Sequence, residues 1–323
     1  IRSDEKEIKI GVIELPTFYI DFEGLRSGDP NYKSTTRDVE KLLLELQDEE
    51  LEGLIVDLRD NGGGSLQEAN DLTGLFIEYG PTVQIKHSSK RIWRDGKRKK
   101  GPYYNGPLLV MINRLSASAS EIFSGAVQDY GRGIIVGERS FGKGTVQTLI
   151  PLSSGQLKIT ESKFYRISGA STQNRGVVPD VAFPSVYNPE DIGESALDYA
   201  LQWDQISPVR HRVYGDFSEV VPYINSRSIE RRKINPDFIS LKERVAFSNQ
   251  NRANTEVSLN EVDRKTRRLE REARALEIEN NRRRQKGLEK IDNINQLDQN
   301  EDTENSLEDD AGVDFFLQEA GNI

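Results

Sequence analysis

The sequence predicts an α/β core followed by a mostly α-helical domain. Two observations carry this prediction. Over about the first 190 residues, short apolar runs alternate with amphipathic stretches, the pattern of strands and helices taken in turn. From about residue 190 glycine thins out and helical periodicity takes over. Residues 1–190 are therefore expected to form one domain and 191–323 a second, and 323 residues have room for both.

The core begins with Ile8–Leu15 (IKIGVIEL), which reads as a strand. Thr35–Glu50 reads as an amphipathic helix with Val39, Leu42, Leu43 and Leu46 on one face. Gly53–Leu58 is a short buried strand that ends in Arg59, Asp60, Asn61 and the three glycines Gly62–Gly64, before a helical pattern from Leu66 to Ile77. Thr82–Lys86 and Arg91–Arg94 suggest a hairpin arm turning near Asp95-Gly96. Eight Lys or Arg lie from Lys86 to Lys100, either as a solvated loop or as a surface steering acidic protein segments.

A second buried strand, Leu108–Ile112, leads through Asn113-Arg114-Leu115-Ser116-Ala117-Ser118-Ala119-Ser120 into a helix over Glu121–Tyr130, closed by Gly131. A third, Gly133–Val136, leads to Phe141-Gly142-Lys143-Gly144-Thr145. Strands near Val146–Pro151, Gly155–Thr160 and Ser162–Ile167 complete the region, with Pro179-Asp180 as its closing turn. In the helical domain, Ser258 to Glu261 suggests a capping box opening a charged helix to about Arg284, with Glu270 paired to Arg274. Asp314–Ala320 reads as a short docking helix with Phe315, Phe316 and Leu317.

Composition narrows the chemistry. The absence of Cys excludes a catalytic thiol and leaves the chain indifferent to redox compartment. Two histidines, His87 and His211, are too few for a multi-histidine zinc site, and no cofactor is expected. No run of 18 apolar residues spans a membrane. The net charge of −9 is polarised: residues 210–290 hold 20 Lys or Arg against 13 Asp or Glu, while residues 291–323 hold ten acids and no Lys or Arg. Intramolecular attraction or solvated faces account for that asymmetry, and no nucleic-acid role is expected. The chain opens almost directly into a strand pattern, as an excised segment of a longer protein would.

Three motifs carry the chemistry. A strand-to-helix junction at Ser116, Ser118 and Ser120 presents free N–H groups and a positive dipole end, where a hydroxyl attacks a carbonyl while amides receive the oxyanion. Serines at such junctions are also ordinary N-caps, so all three remain candidates at this point. The Asn61–Gly64 turn lets the backbone approach a ligand closely, or is only a tight turn; no dinucleotide or Walker pattern is present. Lys143, between two glycines after an apolar strand, is poorly placed as a surface charge, and burial disfavours the charged form of a lysine. Neither histidine belongs to a motif, so Lys143 is the better base for a serine, a known variant of the triad logic.

Leu58-Arg59-Asp60-Asn61-Gly62-Gly63-Gly64, Ser116 to Glu121, and Phe141 to Gln147 together resemble the C-terminal processing peptidase family, and within it the tail-specific (Prc/Tsp type) branch of Gram-negative bacteria. Gln128-Asp129-Tyr130-Gly131, Lys163 to Arg166, Gly169 to Gln173 and Gly176 to Asp180 add to the likeness, which is strong over residues 8–185 and continues more weakly to Trp203-Asp204. The resemblance implies a Clp protease/crotonase-like ββα core with added strands. It also implies a nucleophile at the middle serine, 25 residues before the base, hence Ser118 and Lys143. Gln147 matches the glutamine that orients the lysine, and Asp129 an aspartate important in tail-specific proteases, with a structural role as its alternative. Gly64 and Ala119 match the oxyanion hole, with Gly63 as the fallback. The implied substrates are proteins or peptides with apolar C-terminal tails, in the periplasm, with an adaptor protein as a further partner. No PDZ-like segment precedes Ile8, so a fragment lacking the PDZ and N-terminal helical regions is expected. The competing readings are an inactive scaffold on the same fold, against which Ser118, Lys143 and Gln147 stand intact, and a crotonase-like acyl-thioester enzyme, which would need neither Ser118 nor Lys143.

Overall fold

The computed structural model of the chain describes residues 2–3, 6–87, 89, 92–95, 104–294 and 314–323. Residues Ile1–Phe183 and Tyr187–Pro222 form one compact unit, and Pro184–Val186 with Tyr223–Ile323 form another.

The first unit opens with a two-stranded ladder, β1 (Arg2–Ser3) and β2 (Lys6–Glu7). There follow β3 (Ile10–Glu14), α1 (Phe22–Ser27), α2 (Thr35–Leu46), β4 (Gly53–Asp57), α3 (Leu66–Thr73), β5 (Val83–His87) and β6 (Ile92–Asp95). Then come β7 (Leu108–Ile112), α4 (Ala119–Asp129), β8 (Ile134–Gly137), β9 (Thr145–Pro151), β10 (Gln156–Tyr165) and β11 (Val181–Ala182). Five strands make a parallel sheet in the order β11-β8-β7-β4-β3. Its central strand β7 (LLVMI) is buried at every position, as a strand covered on both faces must be. An antiparallel sheet in the order β6-β5-β10-β9 stands beside it, and Phe164 and Ile85 from that sheet enter the same core as Val56, Val110 and Phe123.

The expected α/β core with added strands, followed by a helical region, is what the structure contains. Local differences have local causes. The helix expected to Ile77 stops at Thr73, where Gly74 follows. The two strands expected at 155–160 and 162–167 are one strand, β10, with a register shift between Thr160 and Ser162, the signature of a bulge. Asp95 ends β6, so the arm does not turn there between its strands, and most of the basic run to Lys100 lies outside the described residues.

Residues 187–222 belong to the first unit, where an extended strap is bonded to the core: Trp203 Nε1 donates to Ser171 O (2.8 Å) and Tyr214 N to Tyr130 O (2.8 Å). These residues lack regular periodicity because their bonding partners are loops of the core rather than a helical neighbour.

In the second unit, α5 (Val220–Ile234), α6 (Pro236–Ala253), α7 (Glu261–Gln285) and α8 (Phe315–Asn322) supply the helices. Asn260, not Ser258, caps α7, and Arg274 pairs with Glu277 rather than Glu270. The docking helix forms: Asp314 caps α8, and Phe315 and Phe316 meet the ring of Phe238 edge-on at 5.0 and 5.6 Å. Among the described residues no helix is long and apolar enough to cross a membrane.

Candidate active site

The three motifs follow three adjacent strands of one parallel sheet. The glycine turn follows β4, the serine turn follows β7, and the lysine loop follows β8. Because the strands are parallel, their carboxyl ends share one edge, where open α/β sheets place ligands.

Buried polar side chains fasten the three loops together. Asn61 is fully buried; its Nδ2 donates to Leu15 O (2.7 Å), its Oδ1 accepts from Gly63 N (2.9 Å), and its carbonyl accepts from Ala117 N (3.0 Å) and Ser120 Oγ (2.8 Å). Gly63 presses on the serine turn so closely that a Cβ there would lie 2.8 Å from Ser118 Cβ and Ala117 O. Gly64 has φ +139°, and a Cβ on it would stand 2.2 Å from Phe18 O, so this position accepts only glycine without rearrangement.

The three serines separate cleanly. Ser116 Oγ is buried and donates to Leu58 O (2.7 Å); Ser120 Oγ is buried and donates to Asn61 O (2.8 Å). Ser118 is only half-buried, and its hydroxyl donates to no carbonyl among the described residues. It stands just before α4 at φ 58°, ψ −109°, a conformation rare for a residue with a side chain and of the kind surrounding packing must enforce. The N–H groups near it also divide. That of Gly63 is spent on Asn61, whereas those of Gly64 and Ala119 have no acceptor among the described residues.

The lysine loop is tied to the serine turn by Glu121, which lies wholly inside the protein. Its Oε2 accepts from Ser118 N (2.8 Å) and from Lys143 N (3.0 Å), and its Oε1 from Ser140 Oγ (2.6 Å) and Gly142 N (2.7 Å). One carboxylate oxygen thus holds the main chain of both motif residues. Burial pushes the Glu121 carboxyl up to about 7, against the four donors, which favour its charged form. Thr172 Oγ1 donates to Lys143 O (3.2 Å), and buried Gln173 accepts from Gly144 N (2.9 Å). Lys143 is half-buried, and its Nζ has neither a carboxylate partner nor a hydrogen bond to Ser118 Oγ among the described residues.

The remaining expected residues sit elsewhere. Gln147 is exposed on β9, opposite Thr160 in β10. Asp129 ends α4, 11 residues and so about 16 Å of helix away from Ser118. There it forms an ion pair with Arg166 and accepts from Ser168 N (3.3 Å). His211 lies at that same end, its Nε2 3.0 Å from Asp129 O. Sequence reading did not assign roles to Asn61, Glu121 or Gln173. All three lie within the motifs that carry the resemblance, and Glu121 left a further signal, the Ser-x-x-Glu spacing of a capping box. No group of residues suited to a metal ion occurs among the described residues.

The model of peptidase family S41 matches residues 9–183. This chain belongs to that family. The C-terminal domain of tail specific protease matches residues 187–323. The tail-specific protease of Haemophilus influenzae is 40% identical over 326 residues, covering 97% of this chain and 44% of that protein. The carboxy-terminal-processing protease of Bartonella bacilliformis is 40% identical over 157 residues, covering 46% of this chain and 36% of its own length. Among solved structures, the photosystem II D1 C-terminal processing protease is 31% identical, with a TM-score of 0.45, covering 56% of this chain and 43% of the other. The chain therefore spans less than half the length of these relatives.

Proposed function

We propose that this chain carries the catalytic core of a serine endopeptidase with a Ser118–Lys143 dyad, one that cleaves proteins recognised by apolar C-terminal tails. The observation that carries the reading is the shared sheet edge. It collects three motifs, and of the three serines there only Ser118 keeps its hydroxyl from a backbone carbonyl. In the proposed reaction, neutral Lys143 Nζ takes the proton from Ser118 Oγ as the oxygen attacks a peptide carbonyl. The N–H groups of Gly64 and Ala119 hold the oxyanion. Lys143 then gives its proton to the leaving amine, and water, deprotonated by the same lysine, hydrolyses the acyl-enzyme. Gln147, exposed on β9, is assigned to orienting the lysine. Asp129, from the far end of α4, acts as a positioning residue.

The likeness to tail-specific proteases supports apolar tails as the recognised feature and the periplasm as the location. Capture of the tail is assigned to parts of the longer relatives that this chain does not cover, with an adaptor protein as a further partner. The test is hydrolysis, by the complete protein, of an unfolded substrate ending in an apolar tail. Ser118→Ala and Lys143→Ala are each expected to lower the rate by ~10³-fold or more, with unchanged thermal unfolding. Hydrolysis that survives Lys143→Ala would sink the dyad.

A further inference from the structure

Residues 139–144, which carry Lys143, lie outside any helix or strand, so the shape of this loop depends on what its main chain is bonded to. Glu121 holds the N–H groups of Gly142 and Lys143. Two later segments hold much of the rest. In the turn after β10, Asn174 N donates to Gly142 O (2.8 Å), and Gln173 Oε1 accepts from Gly144 N (2.9 Å). At the start of the strap, Glu194 N donates to Phe141 O (3.0 Å). Buried Arg114 joins the same two segments: its Nη1 donates to Ser140 O (2.6 Å) and its Nε to Ile192 O (2.7 Å). The approach is close. Gly193 has φ +128°, and a Cβ there would lie 2.0 Å from Arg114 Nη2 and 3.0 Å from Phe141 O.

One pair of side chains links the strap to the residue beside Lys143. Gln173 is fully buried. Its Nε2 donates to Glu194 Oε1 (3.0 Å), while Asn174 Oδ1 stands at 3.5 Å, the limit of a hydrogen bond. A glutamine amide has one accepting and one donating end, and Gly144 N–H needs the accepting end. An ionised carboxylate only accepts, so Glu194 fixes which end of the amide faces it. The Gln173 oxygen is thereby turned to Gly144. The peptidase S41 match ends at residue 183, and Glu194 lies in the stretch matched by the C-terminal domain of tail specific protease. By packing, however, that stretch up to Pro222 belongs to the first unit.

We propose that Glu194, acting through Gln173, is a positioning residue for Lys143. It orients the amide that holds Gly144 and so sets the direction in which Lys143 leaves its loop. Neither residue transfers a proton. This inference rests on the reading of Ser118 and Lys143 as the dyad. It makes the first residues of the strap a working part of the peptidase core.

The test is steady-state peptide hydrolysis by the complete protein, well below the melting midpoint of each variant. Glu194→Ala is expected to lower kcat ~10-fold and Gln173→Glu, which sets two carboxylates face to face, ~10²-fold, each with KM unchanged, the scale of a slightly misplaced reacting group. Combining Gln173→Glu with Glu194→Gln rebuilds both bonds, because the carboxylate then accepts from Gly144 N and from the amide opposite it. That exchange is expected to restore kcat to within ~3-fold of the parent, the non-additivity of two groups in contact. Ser195→Ala, exposed beside the pair, is expected to leave kcat unchanged. Parental kcat in both Glu194→Ala and Gln173→Glu would overturn the proposal. So would a loss carried by KM alone, an equal loss in Ser195→Ala, or an exchange variant that melts like the parent without recovering kcat. Lys143→Ala is measured beside them. Full hydrolysis in that variant removes the dyad itself; loss there, with full rates in Glu194→Ala and Gln173→Glu, removes only the role of the strap.

Discussion

Helix α4 carries a polar network at each end, partly buried at the C-terminal end and buried at the N-terminal end, and only the N-terminal one leaves donors unspent among the described residues. At its C-terminal end, Asp129 pairs with Arg166, which also donates to Gln128 Oε1 (2.9 Å); Gln128 Nε2 donates to Asp180 (2.8 Å), and Asp180 accepts from Ile135 N (2.7 Å). Those side chains satisfy one another. At the N-terminal end the supporting groups, Asn61 and Glu121, are equally satisfied, but they surround a hydroxyl that donates to no carbonyl and two N–H groups with no acceptor among the described residues. Buried polarity alone thus marks structure as readily as function. What distinguishes the Ser118 end is unspent hydrogen-bond donors among the described residues, held by a fully spent frame.

That contrast can be broken most forcefully at Gly64. Gly64→Ala forces a Cβ onto Phe18 O at a positive φ and displaces one unspent N–H. It is expected to lower kcat of the complete protein by ~10²–10³-fold, the scale of losing one oxyanion donor. Near-native kcat would remove Gly64 from the machinery.

The frame is probed next through Glu121→Gln. The variant places an amide N–H₂ where one carboxylate oxygen meets two donors, and about 2–3 kcal/mol of stability should be lost at pH 8, read from denaturant midpoints. The pH dependence has a definite sign. A carboxyl raised by burial to about 7 in the folded state, above its unfolded value, favours folding most below the unfolded value, and that contribution is lost as pH rises through about 7. Between pH 5 and pH 8 the parent chain should therefore lose stability relative to Glu121→Gln; parallel midpoints across that range would show that Glu121 does not titrate there.

At the other end of the helix, Asp129→Asn leaves the Arg166 guanidinium inside the protein without its counter-ion, at a cost of about 3 kcal/mol. Melting temperature and activity should fall together, and activity should be recovered on cooling. Lost activity at an unchanged melting temperature would instead move Asp129 into the chemistry. Gln128→Ala is the mildest of the set: it removes the link between Arg166 and Asp180, for about 1 kcal/mol and no change in KM, checked by thermal unfolding and steady-state kinetics.

Much of this was legible in the residues. The buried strand LLVMI and the glycine turn are local features, and periodicity and turn chemistry are local signals; the residues alone left three serines open, and the choice among them came from the family resemblance. The capping of α7 by Asn260 instead of Ser258 shows the reach of such signals, since either residue suits the role and only the path of the chain chose. The strap over 187–222 was not legible, because its partners are core loops with no period of their own.

By itself the sequence determined which residues could act: one serine cluster, one glycine-flanked lysine, no cysteine and no histidine in a motif. The tertiary structure decided which of them meet. Parallel pairing brought the ends of β4, β7 and β8 to one edge, and burial spent the hydroxyls of Ser116 and Ser120 on backbone carbonyls. It also turned Glu121, which the sequence offers only as a helix-capping residue, into the tie between the two motif loops. The reason is physical: strand and helix propensities act over a few residues, whereas a hydrogen-bond partner 20 to 60 positions away exists only once the chain has packed.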